Sequence, residues 1–196
     1  MFILASGSQA RADMLRNAGV SVETQVAHID ETQVKDEMLA EGAGGGDIAL
    51  RLADLKARKV AKGRPDALVL GADQVLVCQE VLFDKPRTIL EARAQLTGLR
   101  GKTHELLSAA VIYENGAPVW QGVGQARLKM RNFSEAFLDM YIEQLGKDLL
   151  TTVGGYKLEG LGAQLFAQVE GDYFTVLGLP LLEVLEELRT RGVCEK

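Results

Sequence analysis

Residues 67–74 read ALVLGADQ, and this stretch decides the fold. Ala67 to Gly71 is an unbroken apolar run, the pattern of a strand covered on both faces. The run ends at Ala72-Asp73-Gln74, and Val75 to Val77 continues extended. Val81-Leu82-Phe83 is a candidate partner strand, and Asp84-Lys85-Pro86 breaks the chain.

Toward the N-terminus, Phe2 to Ala5 is a second short apolar run that stops at Ser6-Gly7-Ser8. Met14, Leu15 and Ala18 then recur at helical spacing up to Gly19. Val20 to Val26 alternates and reads as a strand. Residues 41–46, EGAGGG, read as a flexible link. Asp47 can cap the following helix, whose stripe is Ile48, Leu52, Leu55 and Val60. Toward the C-terminus, Thr88 and Glu91 have capping-box spacing for a helix ending near Gly98. Leu106 to Tyr113 and Val119 to Met130 flank Asn115-Gly116, a strong hairpin signal. Ser134 caps a helix stopped by Gly146. Gly154 to Gly162 is glycine-rich, Ala163 to Val169 reads as a strand, and Gly171-Asp172 is a turn before the apolar Phe174 to Leu177. Pro180 suits the first turn of a last helix closing at Gly192. Strands alternating with helices predict an α/β fold with a mixed sheet. In such folds ligands sit beyond the carboxyl ends of strands, which singles out Ser6 to Arg11 and Asp73-Gln74.

Composition bounds the rest. With 196 residues, 47% of them hydrophobic, the chain can bury one sizeable core. The net charge of −5 argues against long nucleic acid and an anionic membrane surface as partners, since both require a basic excess. Two distant cysteines, Cys78 and Cys194, form no disulfide framework or metal motif. No segment resembles a signal peptide or a membrane span, so the expected location is the cytoplasm.

Four constellations could carry chemistry. In Ser6-Gly7-Ser8-Gln9-Ala10-Arg11, small residues allow close backbone approach to a phosphate. The following helix N-terminus offers unpaired N–H groups, and Arg11 a fork of donors. An ordinary strand-to-helix turn capped by Ser8 also fits, and is commoner. Asp73 after a buried strand can bind a cation or position a water, but is equally a turn residue. Asp30-Glu31 reads as an acidic pair or a solvated turn. Lys56 and Lys85 are candidate phosphate cations, although most lysines simply face solvent. His104 reads as a structural histidine. The Walker and serine-hydrolase motifs are absent. Only together do these residues match what a triphosphate requires: several cations, carboxylates for a metal, and small residues near the phosphates.

In order along the chain stand LASGSQAR (4–11), IDET (29–32), RLADLKA (51–57), LGADQVL (70–76), DKPRT (84–88), LRGKTHEL (99–106), GGYKLEGLGAQLF (154–166) and EGDYFTVLGLPL (170–181). Through these blocks the chain resembles the Maf family of nucleotide pyrophosphatases over almost its whole length. The resemblance implies a single domain over residues 1–196. It implies a mixed twisted sheet flanked by helices, two-lobed with a deep cleft, of the inosine triphosphate pyrophosphatase kind. It implies hydrolysis of the α–β bond of a nucleoside triphosphate, giving the monophosphate and pyrophosphate. A divalent cation, Mg²⁺ or Mn²⁺, and commonly a homodimer come with it. Ser6, Ser8 and Arg11 fall on the family's phosphate-binding motif. Glu31, Lys56, Asp73 and Lys85 fall on its catalytic cluster, with Asp73 as proton acceptor and Asp73 and Glu31 as the expected metal ligands. Gln9 and Ala12 replace a usual Pro and Arg, and Thr151-Thr152-Val153-Gly154 replaces a usual Asp-Lys-Ala-Gly.

Two positions bear on the base. Gln74 stands where many members carry Thr, and Glu159 where the pyrimidine-selective branch carries Gln. Both resemble the branch acting on 7-methyl-GTP. The chemistry agrees, because a guanine edge presents two adjacent donors that a carboxylate accepts together. N7 methylation adds positive charge that favours a carboxylate further. Ala10, also expected to line the substrate, departs from this branch, which tends to carry an aromatic able to stack on a cationic base. The rival readings are the same reaction on dTTP or UTP, and a nucleotide-binding regulator of cell division without turnover.

Overall fold

A computed structural model describes residues 1–195. The elements in chain order are β1 (Phe2–Leu4), α1 (Gln9–Asn17), β2 (Glu23–Thr24), α2 (Glu31–Ala40), α3 (Gly45–Gly63), β3 (Leu68–Cys78), β4 (Val81–Phe83), α4 (Ile89–Leu99), β5 (Thr103–Glu114), β6 (Ala117–Met130), α5 (Glu135–Leu145), β7 (Phe166–Glu170), α6 (Tyr173–Leu177) and α7 (Leu181–Thr190). Among the described residues the strands form one seven-stranded mixed sheet in the order β2-β1-β3-β5-β6-β7, with β4 paired to β3 off this path. The α/β class and the mixed sheet are therefore as the sequence indicates. No described helix is long and apolar enough to cross a membrane.

The chain divides into two compact units. The first comprises residues 1–74, 107–124 and the segment from Asp172 onward. In it β1 pairs in parallel with both β2 and β3. The chain leaves β1 for one neighbour and returns on the other side, so the carboxyl end of β1, beside the middle of β3, is a switch point, where α/β sheets bind ligands. The alternation of β3 assigns its two faces. Leu68, Leu70 and Ala72 pack in one cluster with Leu15 of α1 and with Val184 and Leu188 of α7. Val69, Gly71 and Asp73 occupy the opposite face, where the backbone of α3 lies against Gly71. Burial on both faces explains the unbroken apolar run, and each buried leucine contributes about 2 kcal/mol.

The second unit comprises Val75–Leu106 and Gln125–Gly171. Cys78 pairs with Val81, which leaves Gln79 and Glu80 as a two-residue hairpin loop with φ of 51° and 66°. Arg100 joins α4 to α5 through Glu135 at 2.7 Å. An aromatic cluster holds the glycine-rich segment: the rings of Tyr156 and Phe166 lie 4.8 Å apart, and His104 Nε2 lies 2.6 Å from the Tyr156 hydroxyl. His104 is buried, as its structural reading requires.

Local readings fail in identifiable places. The strand expected over Val20 to Val26 shrinks to Glu23–Thr24, because only those residues pair with β1. Asp30-Glu31 is no solvated turn. Asp30 is an N-cap accepting from Gln33 N at 3.0 Å, and α2 begins at Glu31. The next helix starts earlier than expected, with Gly44 as N-cap and Asp47 in its first turn. Residues 154–165 fold largely as 3₁₀ turns, so the strand begins at Phe166 rather than Ala163. The apolar Phe174 to Leu177, given no element type by the sequence, belongs to the short helix α6, capped by Asp172 through Thr175 N at 2.8 Å. Pro180 is the N-cap of α7, one residue before its first turn.

Candidate active site

The loop after β1 supplies the first half of the site. Ser8 is the N-cap of α1, its hydroxyl accepting from Arg11 N at 3.4 Å. The Ser6 hydroxyl accepts from Ser8 N at 3.2 Å and from Arg11 Nη1 at 3.3 Å. Arg11 Nε donates to the carbonyl of Gly178 at 2.7 Å. The guanidinium is thus buried and held from two directions. Burial pushes its pKa down, opposed by the Asp73 and Glu31 carboxylates. It stays charged, since no ordinary environment deprotonates arginine. Gln9 and Ala10 are exposed on the first turn of α1.

The second half is built by α3 against β3. A methyl group at residue 71 would fall on the Ala53 carbonyl oxygen and within 2.7 Å of the Ala57 nitrogen. Only glycine admits this approach. Lys56 follows Ala53 by three positions, on the same helical face. Asp73 follows Gly71 by two, on the same strand face. The close approach therefore delivers Lys56 to Asp73: Nζ lies 2.5 Å from Asp73 Oδ1 and 2.7 Å from Glu31 Oε1. The side chains of Lys56 and Asp73 are 9% and 8% exposed and that of Glu31 43%, so Lys56–Asp73 is the buried pair and Glu31 its solvent-side partner.

Ser6, Ser8, Arg11, Glu31, Lys56 and Asp73 thus all lie in the first unit. Asp73 does not end a strand as expected: it sits in the middle of β3, which runs on to Cys78 because Leu76 to Cys78 pair with β4. Gln74, on the other face of β3 from Asp73, directs its amide to Ser108 Oγ and to the carbonyls of Thr175 and Val176, each at 3.0 Å. Lys85 and Glu159 belong to the second unit. Lys85 is exposed after β4, and Glu159 is exposed in the turn preceding Gly160. Gly71, Ser108 and Gly178 were not singled out in the sequence. A lone glycine inside an apolar strand was a usable signal for Gly71, and Asp30 with Gln33 was one for α2. Nothing local marks Ser108 or Gly178.

Two cations, Arg11 and Lys56, face two carboxylates, Glu31 and Asp73, so the cluster is balanced before any substrate arrives. A triphosphate brings several negative charges and calls for added positive charge. The donor set fits a divalent cation. Glu31 and Asp73 already share one cation, and an all-oxygen pair suits Mg²⁺ or Mn²⁺. Among the described residues no group of three or more His, Cys, Asp or Glu converges on one point. Such an ion would take its remaining ligands from water and phosphate oxygens, as Mg²⁺ commonly does.

A family model described as Maf-like protein matches residues 1–191. A protein of Paramagnetospirillum magneticum named nucleoside triphosphate pyrophosphatase is 53% identical over 190 residues, 97% of this chain and 98% of that protein. One of Jannaschia named nucleoside triphosphate pyrophosphatase 1 is 50% identical over 191 residues, 97% and 96% of the two chains. One of Rhizobium meliloti named 7-methyl-GTP pyrophosphatase is 43% identical over 195 residues, 100% and 98% of the two chains.

Proposed function

The chain belongs to the Maf-like protein family, and on that premise we propose that it is a nucleoside triphosphate pyrophosphatase whose substrate is 7-methyl-GTP or a related modified guanine nucleotide. The carrying observation is Lys56 held between Asp73 and Glu31, in the same unit as the buried Arg11, beside the carboxyl end of β1 and the middle of β3. The names of the relatives in Paramagnetospirillum magneticum and Jannaschia support the reaction, and the name of the Rhizobium meliloti relative supports the base.

Asp73 accepts the proton of a water that attacks the α-phosphorus. The bond from that phosphorus to the bridging oxygen breaks, and pyrophosphate leaves with the bonding pair. Arg11, Lys56 and Lys85, with the positive end of α1, neutralise the charge that grows on the phosphate oxygens. Glu31 and Asp73 would hold a divalent cation, which supplies further neutralisation. Ser6 and Ser8 shape the loop and fix Arg11. Glu159 reads the two adjacent donors of the guanine edge. Ala10 is too small to stack on a base, so discrimination rests on Glu159. The whole chain is read as one pyrophosphatase domain.

The test is pyrophosphate release from 7-methyl-GTP, GTP, dTTP and UTP by the native protein, Asp73→Asn and Glu159→Gln. Asp73→Asn is expected to fold and to lose about 10²–10³ in turnover on every nucleotide. Unchanged turnover in that variant would sink the assignment of the base. Glu159→Gln is expected to shift preference toward the pyrimidine nucleotides. If the native protein itself prefers dTTP or UTP, the guanine reading fails while the reaction stands.

A further inference from the structure

The short helix α6 ends on carbonyls bound by side chains from three other elements. Ser108 Oγ donates to the Thr175 carbonyl at 2.8 Å. Gln74 Nε2 lies 3.0 Å from the carbonyls of Thr175 and Val176 and 3.0 Å from Ser108 Oγ. Arg11 Nε donates to the Gly178 carbonyl at 2.7 Å. The last carbonyls of any helix lack partners within it. In a five-residue helix these are most of its carbonyls, and a buried acceptor without a donor is costly.

Two of these side chains meet at one residue. Gly178 has φ +108°, and a methyl group there would lie 3.5 Å from Arg11 Nε and 3.7 Å from Gln74 Oε1. Gln74 and Arg11 therefore both crowd Gly178, the residue whose carbonyl orients the guanidinium. Thr175 and Ser108 are fully enclosed, so this end of α6 is built into the core rather than laid on the surface.

We propose that Gln74 and Ser108 are positioning residues: they pin the C-terminal end of α6 so that the Gly178 carbonyl holds Arg11 toward the phosphates. This assigns Gln74 to phosphate affinity through Arg11, not to contact with the base. It rests on the reading of Arg11 as a phosphate-binding cation. Because Gln74 acts through a group indifferent to the base, its loss weakens all nucleotides alike. Loss of one such hydrogen bond corresponds to about three- to tenfold in affinity.

The test is a double-mutant cycle between Arg11→Ala and Gln74→Leu, with KM and kcat measured on 7-methyl-GTP, GTP, dTTP and UTP. Gln74→Leu is expected to raise KM about three- to tenfold by the same factor on all four, and to add little when Arg11 is already alanine. Ser108→Ala, a smaller perturbation, serves as the second variant and is expected to behave likewise. Effects of Gln74→Leu and Ser108→Ala that simply add to that of Arg11→Ala, or that differ between bases, overturn the inference while leaving Arg11 in place. An Arg11→Ala protein with undiminished affinity overturns both the inference and the reading it rests on.

Discussion

Lys56 Nζ lies 2.5 Å from Asp73 Oδ1, inside the protein, at the point where α3 crosses Gly71. Two charges taken out of water are tolerable only because each is the other's partner. Lys56→Met is therefore expected to destabilise the protein by about 3–5 kcal/mol, since it leaves a buried carboxylate without its ammonium. The double variant Lys56→Met/Asp73→Asn is expected to recover part of that loss. Urea unfolding at pH 7 of the native protein, Lys56→Met, Asp73→Asn and the double variant measures both effects, and a double variant no more stable than Lys56→Met refutes the pairing.

Gly71 sets the distance between the two elements. Gly71→Ala places a methyl group against the backbone of Ala53 and Ala57, which cannot swing aside as a side chain can. The helix must shift, and overpacking of this kind costs about 1–3 kcal/mol or more. The shift also carries Lys56 away from Asp73, so turnover is expected to fall together with stability. Thermal unfolding and steady-state kinetics on one preparation check this. A Gly71→Ala protein of normal stability and activity contradicts the packing argument.

His104 predicts a pH effect. Burial pushes its pKa down from 6.5 to about 4. A lowered folded-state pKa means the unfolded chain takes up the proton first as pH falls. The contribution of His104 is complete above about pH 6.5 and is lost as pH drops toward 4, a difference of about 3 kcal/mol. His104→Gln removes the titrating group. The stability of the native protein is expected to decline more steeply than that of the variant between pH 6.5 and 4, by urea unfolding. Parallel pH curves exclude the effect.

The hairpin loop between β3 and β4 holds two non-glycine residues at positive φ, Gln79 and Glu80. Left-handed backbone is unfavourable for L-residues with a Cβ, and two-residue hairpin loops favour glycine for this reason. Glu80→Gly is expected to raise stability by about 0.5–1 kcal/mol and to leave turnover unchanged. Thermal unfolding checks it, and a lower midpoint refutes the strain argument.

Much of this fold was legible because its signals are local. The run Ala67 to Gly71 is apolar at every position because helices cover both faces of β3. Ser8, Thr88 and Ser134 each accept from a backbone N–H three residues on, which is where a cap must sit. Asn115-Gly116 turns the β5–β6 hairpin with both residues at positive φ. The failures were local signals overruled by tertiary partners. Val20 to Val26 alternates like a strand, but β1 is too short to pair more than Glu23 and Thr24. Ala163 to Val169 reads as a strand, but Leu161 to Leu165 fold as a 3₁₀ turn and the strand begins only at Phe166.

By itself the sequence determined the types of group available for chemistry and the elements that carry them, because propensity, capping and periodicity act over a few residues. Only the tertiary structure decided which groups meet. Lys56 and Asp73 are 17 positions apart, and Gln74 and Thr175 are 101 apart. The first contact exists because a residue without a Cβ lets two backbones approach. The second exists because the buried end of a short helix must find donors wherever the fold can bring them.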